Sequence, residues 1–254
     1  MNSKLKQTKK IININHLPAT KPSNVCFVMA HGWRRTHEDF KAIASQITDL
    51  GDQYLIDLPA HGDTCASSAN LTIDEYLLPI IEFVRSIDKP IIWVGHSFGC
   101  RIGSHIGRHC PEKIKALFFI CPPYNTRRHW HYKYIFKSSK QFLYKLLILL
   151  GMPRKSILPW FASKDYVDSG HMRELFKQIV NEDSGFILSQ LTMPLTLVFA
   201  ENDEMTPPEL SKHIQSHCKH ATSSVLRYFD HNSILTDGQY QIIHKLMNFS
   251  KELE

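Results

Sequence analysis

The chain has 254 residues, 43% apolar and 21% charged, an ordinary soluble globular composition that excludes a disordered, collagen-like or disulfide-dense protein. Its formal charge of +6 is modest but uneven: nine Lys or Arg and no Asp or Glu fall between Pro122 and Lys164, leaving 21 of the 30 basic residues against 24 acidic ones elsewhere. The six cysteines lack paired metal-ligand spacing, and neither the lysine-rich Met1–Lys10 nor the polar stretch after it reads as an export signal, so reduced thiols and a cytoplasmic location are expected. The most membrane-like run, Phe142–Gly151, is broken by Lys145 and is about half the length of a spanning helix.

Val25–Ala30 reads as a strand running into His31-Gly32-Trp33, with helical periodicity over Glu38–Leu50. In an acyl-transfer enzyme the developing oxyanion needs two fixed N–H donors, and a glycine before the donor lets the backbone turn toward substrate, which makes Trp33 N–H a candidate. The plainer reading is a turn capped by an aromatic core residue. Tyr54–Pro59 is a second strand, opening into Ala60–Thr64, where His61 is expected to hold the loop by local hydrogen bonds rather than to react. Leu71–Asp88 reads as a helix with Thr72 as cap and Asp74-Glu75 favouring its N-terminal dipole.

Pro90–Val94 is an apolar, β-branched run that ends in Gly95-His96-Ser97-Phe98-Gly99. A serine between glycines at two-residue spacing, straight after a strand, suits a sharp strand-to-helix turn that pushes the hydroxyl above the sheet. Ser97 is the candidate nucleophile, and Phe98 N–H the second oxyanion donor. The helix expected over Phe98–Cys110 carries Gly103 and Gly107, whose cost in propensity implies tight packing. His105 and His109 are spaced i, i+4, but no Glu follows the first as a zincin helix requires, so a surface pair is expected. The next strand, Ala116–Ile120, ends in Cys121-Pro122-Pro123 without a carboxylate.

From Tyr124 to about Asn181 the pattern turns helical, aromatic and basic, a helical insertion read as a lid over the site. The chain then divides into a first part of the core (1–122), the lid (123–185) and a last part of the core (186–254). Arg127, Arg128, Lys133, Lys137 and Lys140 are candidate contacts for an acidic partner, an acyl carrier protein above all. Their alternatives are a solvated helical face or weak peripheral contact with anionic lipid; no nucleic-acid partner is expected. The lid's apolar residues, from Trp130 to Phe161 and including Leu149 and Leu150, line an acyl pocket or pack the lid on the core. Leu195–Ala200 is a strand followed by Glu201-Asn202-Asp203-Glu204, and Ser224–Phe229 is the last strand, followed by Asp230-His231 and a helix to the C-terminus. His213, His217 and His220 with Cys218 have helical spacing that would suit a metal or a surface stripe; nothing else in the sequence supports a metal.

Serine becomes a nucleophile when a base within hydrogen-bond reach takes its proton and an acid orients that base. Ser97, Asp203 and His231 occur in the order expected when all three project from one edge of a parallel sheet, with Glu201 and Glu204 competing with Asp203 for the acid's role. Asp230 is next to His231 but points away from it on an extended chain. Taken with His31-Gly32-Trp33 and Asp57-Leu58-Pro59-Ala60-His61-Gly62, these motifs resemble the α/β-hydrolase fold family from Val25 to the C-terminus. The resemblance implies a mostly parallel sheet with helices on both faces, a lid after the family's sixth strand, and no cofactor or metal. Within the family the chain is similar to serine carboxylesterases, including pimeloyl-carrier-protein methyl esterases, with thioesterases, lipases and catalytically idle ligand-binding members as rivals. Cys100 stands where the family usually has glycine, and Arg101 where its helix is normally apolar.

Overall fold

The computed structural model describes residues 12–65, 71–125, 146–150, 152–153, 156 and 170–253. Seven strands form one sheet in the order β1-β3-β2-β4-β5-β6-β7, where β1 is Ile14–Leu17, β2 Cys26–Ala30, β3 Asp52–Ile56, β4 Ile91–His96, β5 Ile114–Ile120, β6 Leu195–Ala200 and β7 Thr222–Leu226. β1 runs antiparallel to β3, and every other pairing is parallel. The parallel strands therefore deliver their C-terminal ends to one edge, where the loops carry the candidate residues.

β2 and β4 are buried along their whole length, as unbroken apolar runs between two helical layers should be. The period of two sorts their side chains into two cores. Cys26, Val28, Ala30, Ile91, Trp93, Leu117 and Phe119 face one layer. Phe27, Met29, Ile92, Val94, Phe118 and Ile120 face the other. After a 3-10 turn at His37–Phe40, the helices include α1 (Lys41–Ser45), α2 (Ile73–Ser86), α3 (Phe98–His109), α4 (Arg173–Asn181), α5 (Ser184–Leu188), α6 (Leu210–His217), α7 (Ser233–Thr236) and α8 (Gln239–Glu252). Thr72 caps α2 in a reciprocal box with Glu75.

Several boundaries differ from the sequence reading. The helix expected over Glu38–Leu50 is only the 3-10 turn and α1, because the chain turns through Ile47–Leu50 into Gly51 at φ 154. β1 is not among the strands expected from the sequence; it exists because β3 offers it an edge. β3 ends at Ile56: Asp57 N–H still meets Asn13 O in the register of β1, but Leu58 N–H turns to His31 Nε2. β7 ends at Leu226, before a turn that holds Tyr228 at φ 72. The C-terminal helix breaks at Gly238 between α7 and α8.

His105 is no surface residue. It is 3% exposed, and its Nε2 lies 2.8 Å from Glu182, because α3 is covered by the segment between α4 and α5. Arg101, one turn earlier, donates to Ile179 O (3.0 Å) and Ser184 Oγ (3.3 Å), and burial pulls its pKa down to about 10 despite Glu182 nearby. Asn125 and Ser184 close the same region by exchanging bonds: Ser184 N–H donates to Asn125 O and Asn125 N–H to Ser184 Oγ. Asn125, after β5, and Ser184, in α5, thus meet beside α3, the helix that follows Ser97. Gly103 and Gly107 pack as expected, the first against Trp93 and Phe119, the second against Leu191 and Met193.

Candidate active site

β4 ends at His96, and Ser97 takes φ 50, ψ −109 before α3 begins at Phe98. A non-glycine residue holds that conformation only where its surroundings enforce it. Here Ser97 N–H donates to Ile120 O at 2.9 Å, extending the β4–β5 ladder past the turn. The flanking glycines permit the fold-back: a Cβ on Gly95 would lie 2.6 Å from the Gly99 and Cys100 backbone, and one on Gly99 would collide with the Ala30 carbonyl. Cys100 replaces the small residue expected there without displacing the turn; its buried thiol reaches Gly95 O (3.1 Å) and Ile120 O (3.3 Å).

His31-Gly32-Trp33 leads into a turn closed by Arg35 N–H to Gly32 O at 3.2 Å, with Arg34 at φ 60. Trp33 N–H takes no part in that bond, and Phe98 N–H, first in α3, has no intrahelical acceptor. The two side chains meet edge-to-face at 5.0 Å between ring centroids. His61 packs on Trp33 at 5.2 Å, and Phe176 of α4 packs on Trp33 at 5.1 Å, so Trp33 joins its own loop, the turn at Ser97 and α4. His61 is structural as expected, buried with Nδ1 3.0 Å from Pro59 O.

The loop is held from below by His31 and Asp57, which read in the sequence only as members of their motifs. His31 donates from Nδ1 to Gly32 O (2.7 Å) and accepts Leu58 N–H at Nε2 (3.0 Å), which requires a neutral ring; burial lowers its pKa accordingly. Asp57 is fully buried and accepts from Asn13 Nδ2, His37 N–H and Asp63 N–H. Burial would push its carboxyl up, but these donors outweigh it and hold the group below the ordinary range.

Asp203 and His231 converge from β6 and β7. His231 Nδ1 is 2.6 Å from Asp203 Oδ2, while Asp203 Oδ1 accepts Met205 N–H and Thr206 N–H at 2.8 Å each. Thr206 Oγ donates to Oδ2 at 2.6 Å, a contact readable in hindsight from a Thr three residues after an Asp. Burial raises the Asp203 carboxyl, but His231 and Thr206 overcome it, so it stays ionised far below the usual range. Its competitors are engaged elsewhere: Glu201 accepts Tyr228 N–H, Asp230 accepts Asn232 and Ser233 N–H, and Glu204 is exposed. His96, beside Ser97, donates from Nε2 to His231 O at 2.9 Å, with ring centroids 4.8 Å apart. That contact brings the serine turn and the histidine loop together. Burial, and then the neighbouring His231, lower the His96 pKa to about 3, which keeps it a neutral strut.

The histidines of 213–220 do not converge. His213 and His217 lie against the ring of Tyr124, whereas His220 contacts Cys218 Sγ at 3.2 Å. Leu149 and Leu150 are 83% and 70% exposed, so neither is packed into the core. Arg127, Arg128, Lys133, Lys137 and Lys140 lie outside the described residues. All six cysteines are free, five of them buried. Among the described residues no helix is long and apolar enough to cross a membrane.

A family model described as the alpha/beta hydrolase family matches residues 27–223. A Mycoplasma pneumoniae protein assigned as an esterase/lipase is 24% identical over 200 residues, 75% of this chain and 72% of its own length. A pimeloyl-[acyl-carrier protein] methyl ester esterase of Hamiltonella defensa is 28% identical over 106 residues, 41% of this chain and 39% of that protein. Among solved structures, a hydrolase from Oleispira antarctica superposes with a TM-score of 0.69 at 14% identity, covering 95% of each chain.

Proposed function

Because this chain belongs to the alpha/beta hydrolase family, and its relatives are of the esterase and lipase type, we propose that it hydrolyses carboxylic esters through Ser97, His231 and Asp203. The observation that carries this reading is the 2.6 Å contact between Asp203 and His231, on a loop tied by His96 to the serine turn. His231 Nδ1–H bonded to Asp203 leaves Nε2 as the lone-pair nitrogen, the tautomer a general base needs. Ser97 Oγ attacks the ester carbonyl carbon as its proton passes to His231 Nε2. The oxyanion accepts hydrogen bonds from Trp33 N–H and Phe98 N–H, and Asp203 stabilises the imidazolium. Collapse expels the alcohol, which takes the proton back from His231. Water, deprotonated by His231, then attacks the acyl-enzyme, and the acid leaves as Ser97 recovers its proton. The aromatic wall of Trp33, Phe98 and Phe176 suits an apolar acyl group beneath the insertion, which we read as the lid.

The acyl group's source is the finer proposal: an ester on an acyl carrier protein, recruited by Arg127, Arg128, Lys133, Lys137 and Lys140. Its support is the run of nine basic residues without an acidic one, beside the similarity to a carrier-ester esterase. The test has two arms. Ser97→Ala should stay folded and lose about 10⁴-fold or more in kcat, with loss of fluorophosphonate labelling; near-normal turnover refutes the mechanism. kcat/KM on a carrier-bound ester should fall with ionic strength while a small neutral ester is unaffected, and reversing Arg127, Arg128 and Lys133 to Glu should copy that loss at low salt. Equal effects on both substrates exclude the carrier, and an ester-against-thioester series separates the thioesterase reading.

A further inference from the structure

Three buried side chains from three different strand ends gather beside the Asp203 carboxylate: His96 closing β4, Cys121 just after β5 and His231 after β7. One ligand-capable atom from each lies within 4.8 Å of the other two. His96 and Cys121 are fully buried, and His231, 8% exposed, is the way in from solvent. Ester cleavage has no use for Cys121, a free thiol held at φ 50 against the Asp203 charge. His96 commits one nitrogen to His231 O, whereas its Nδ1 is buried without a hydrogen-bond partner.

A thiol and two imidazoles are the donor set that zinc and cadmium favour, and Asp203 Oδ2, 2.6 Å from His231 Nδ1, supplies a carboxylate within reach as a fourth. Zinc bonds of about 2.0–2.3 Å place tetrahedral donors roughly 3.3–3.7 Å apart, so the longest span contracts by about an ångström, within the range of side-chain rotation.

We propose that His96, Cys121 and His231 form an inhibitory site for a thiophilic divalent cation. Binding rests on this donor set alone; the inhibition rests on the base role proposed for His231. The Cys121 thiol exchanges its proton, released to solvent, for a metal–sulfur bond, with no change of oxidation state. Whichever nitrogen of His231 binds, the base is lost: Nδ1 must give up Asp203, and Nε2 is the atom that takes the serine proton. kcat therefore falls while KM for the ester, set by the acyl wall, is unchanged.

The test uses the full chain and cadmium, whose bond to thiolate gives an ultraviolet charge-transfer band. In a Ser97→Ala background, which keeps every ligand but cannot turn over, cadmium should bind with the band saturating at one equivalent. Cys121→Ala should abolish the band, as should the near-isosteric Cys121→Ser should alanine fold poorly. Cys218→Ala should leave it, which controls for the Cys218–His220 contact. In the unmodified protein zinc should lower kcat, a chelator should restore it, and Cys121→Ala should raise the zinc needed by about tenfold or more. A band that survives both Cys121 variants, vanishes in Cys218→Ala or never appears overturns the site. Binding through Cys121 with undiminished turnover overturns the inhibition. A protein without ester turnover refutes the proposed function instead, and the cadmium band still reports on the site.

Discussion

Replacing Asp203 by Asn tests the proposed chemistry with the least change of shape. Oδ1 accepts two backbone N–H groups, from Met205 and Thr206, at 2.8 Å each. Those donors are fixed, so the asparagine carbonyl must occupy that position and its NH2 must face Thr206 and His231. Thr206 can reverse its hydroxyl, but His231 Nδ1, 2.6 Å away, can meet a donor only by giving up its proton. The proton then sits on Nε2, and the ring has no lone pair for Ser97. A loss of about 10⁴-fold in kcat is expected, ~5.5 kcal/mol at 1.36 kcal/mol per decade, with KM little changed. Steady-state hydrolysis of a short-chain p-nitrophenyl ester measures it, with circular dichroism to confirm the fold. A loss below about tenfold, or a larger one from Glu201→Gln or Asp230→Asn, would refute the reasoning.

Three further outcomes follow from the same contacts. Gly99→Ala should cost the ~3 kcal/mol at the upper end of overpacking, because the added Cβ meets the Ala30 backbone rather than a yielding side chain; chemical denaturation measures it. Arg101→Met should remove the charged donor from Ile179 O and Ser184 Oγ, leaving them the Glu182 and Asn125 N–H groups, at about 1–3 kcal/mol, and limited proteolysis should cut faster between Asn125 and Ser184 than in the parent. His31 has a native pKa below its unfolded value of about 6.5, so the unfolded chain binds a proton that the native ring refuses. Its contribution is complete above that pH and is lost on acidification; the melting temperature should drop from pH 7.5 to 5, and less steeply in His31→Gln.

The turn at Ser97 was legible because its constraints are local. A strand end, two glycines that must lack Cβ atoms and a serine at positive φ leave a five-residue imprint. The same holds for Thr72, whose capping box spans four residues, and for β2, β4, β5 and β6, whose apolar runs announce burial on both faces. Asp203 and His231 could be named from their places after successive strands, since parallel strands bring their C-terminal ends to one edge. What holds them there could not be read. The bonds from His96 to His231 O and from Leu58 N–H to His31 span 135 and 27 residues, and no periodicity records a partner that distant. His105 reads as a polar residue on a helix surface until Glu182 is folded over it. Cys121 reads as a strand-end cysteine until the sheet order puts β5 between β4 and β6, bringing its thiol to His96 and Asp203. Local sequence determined which residue types stand at each strand end. Only the parallel packing of strands far apart in the chain decided which of them meet, because side-chain chemistry depends on distances that the order of residues does not specify.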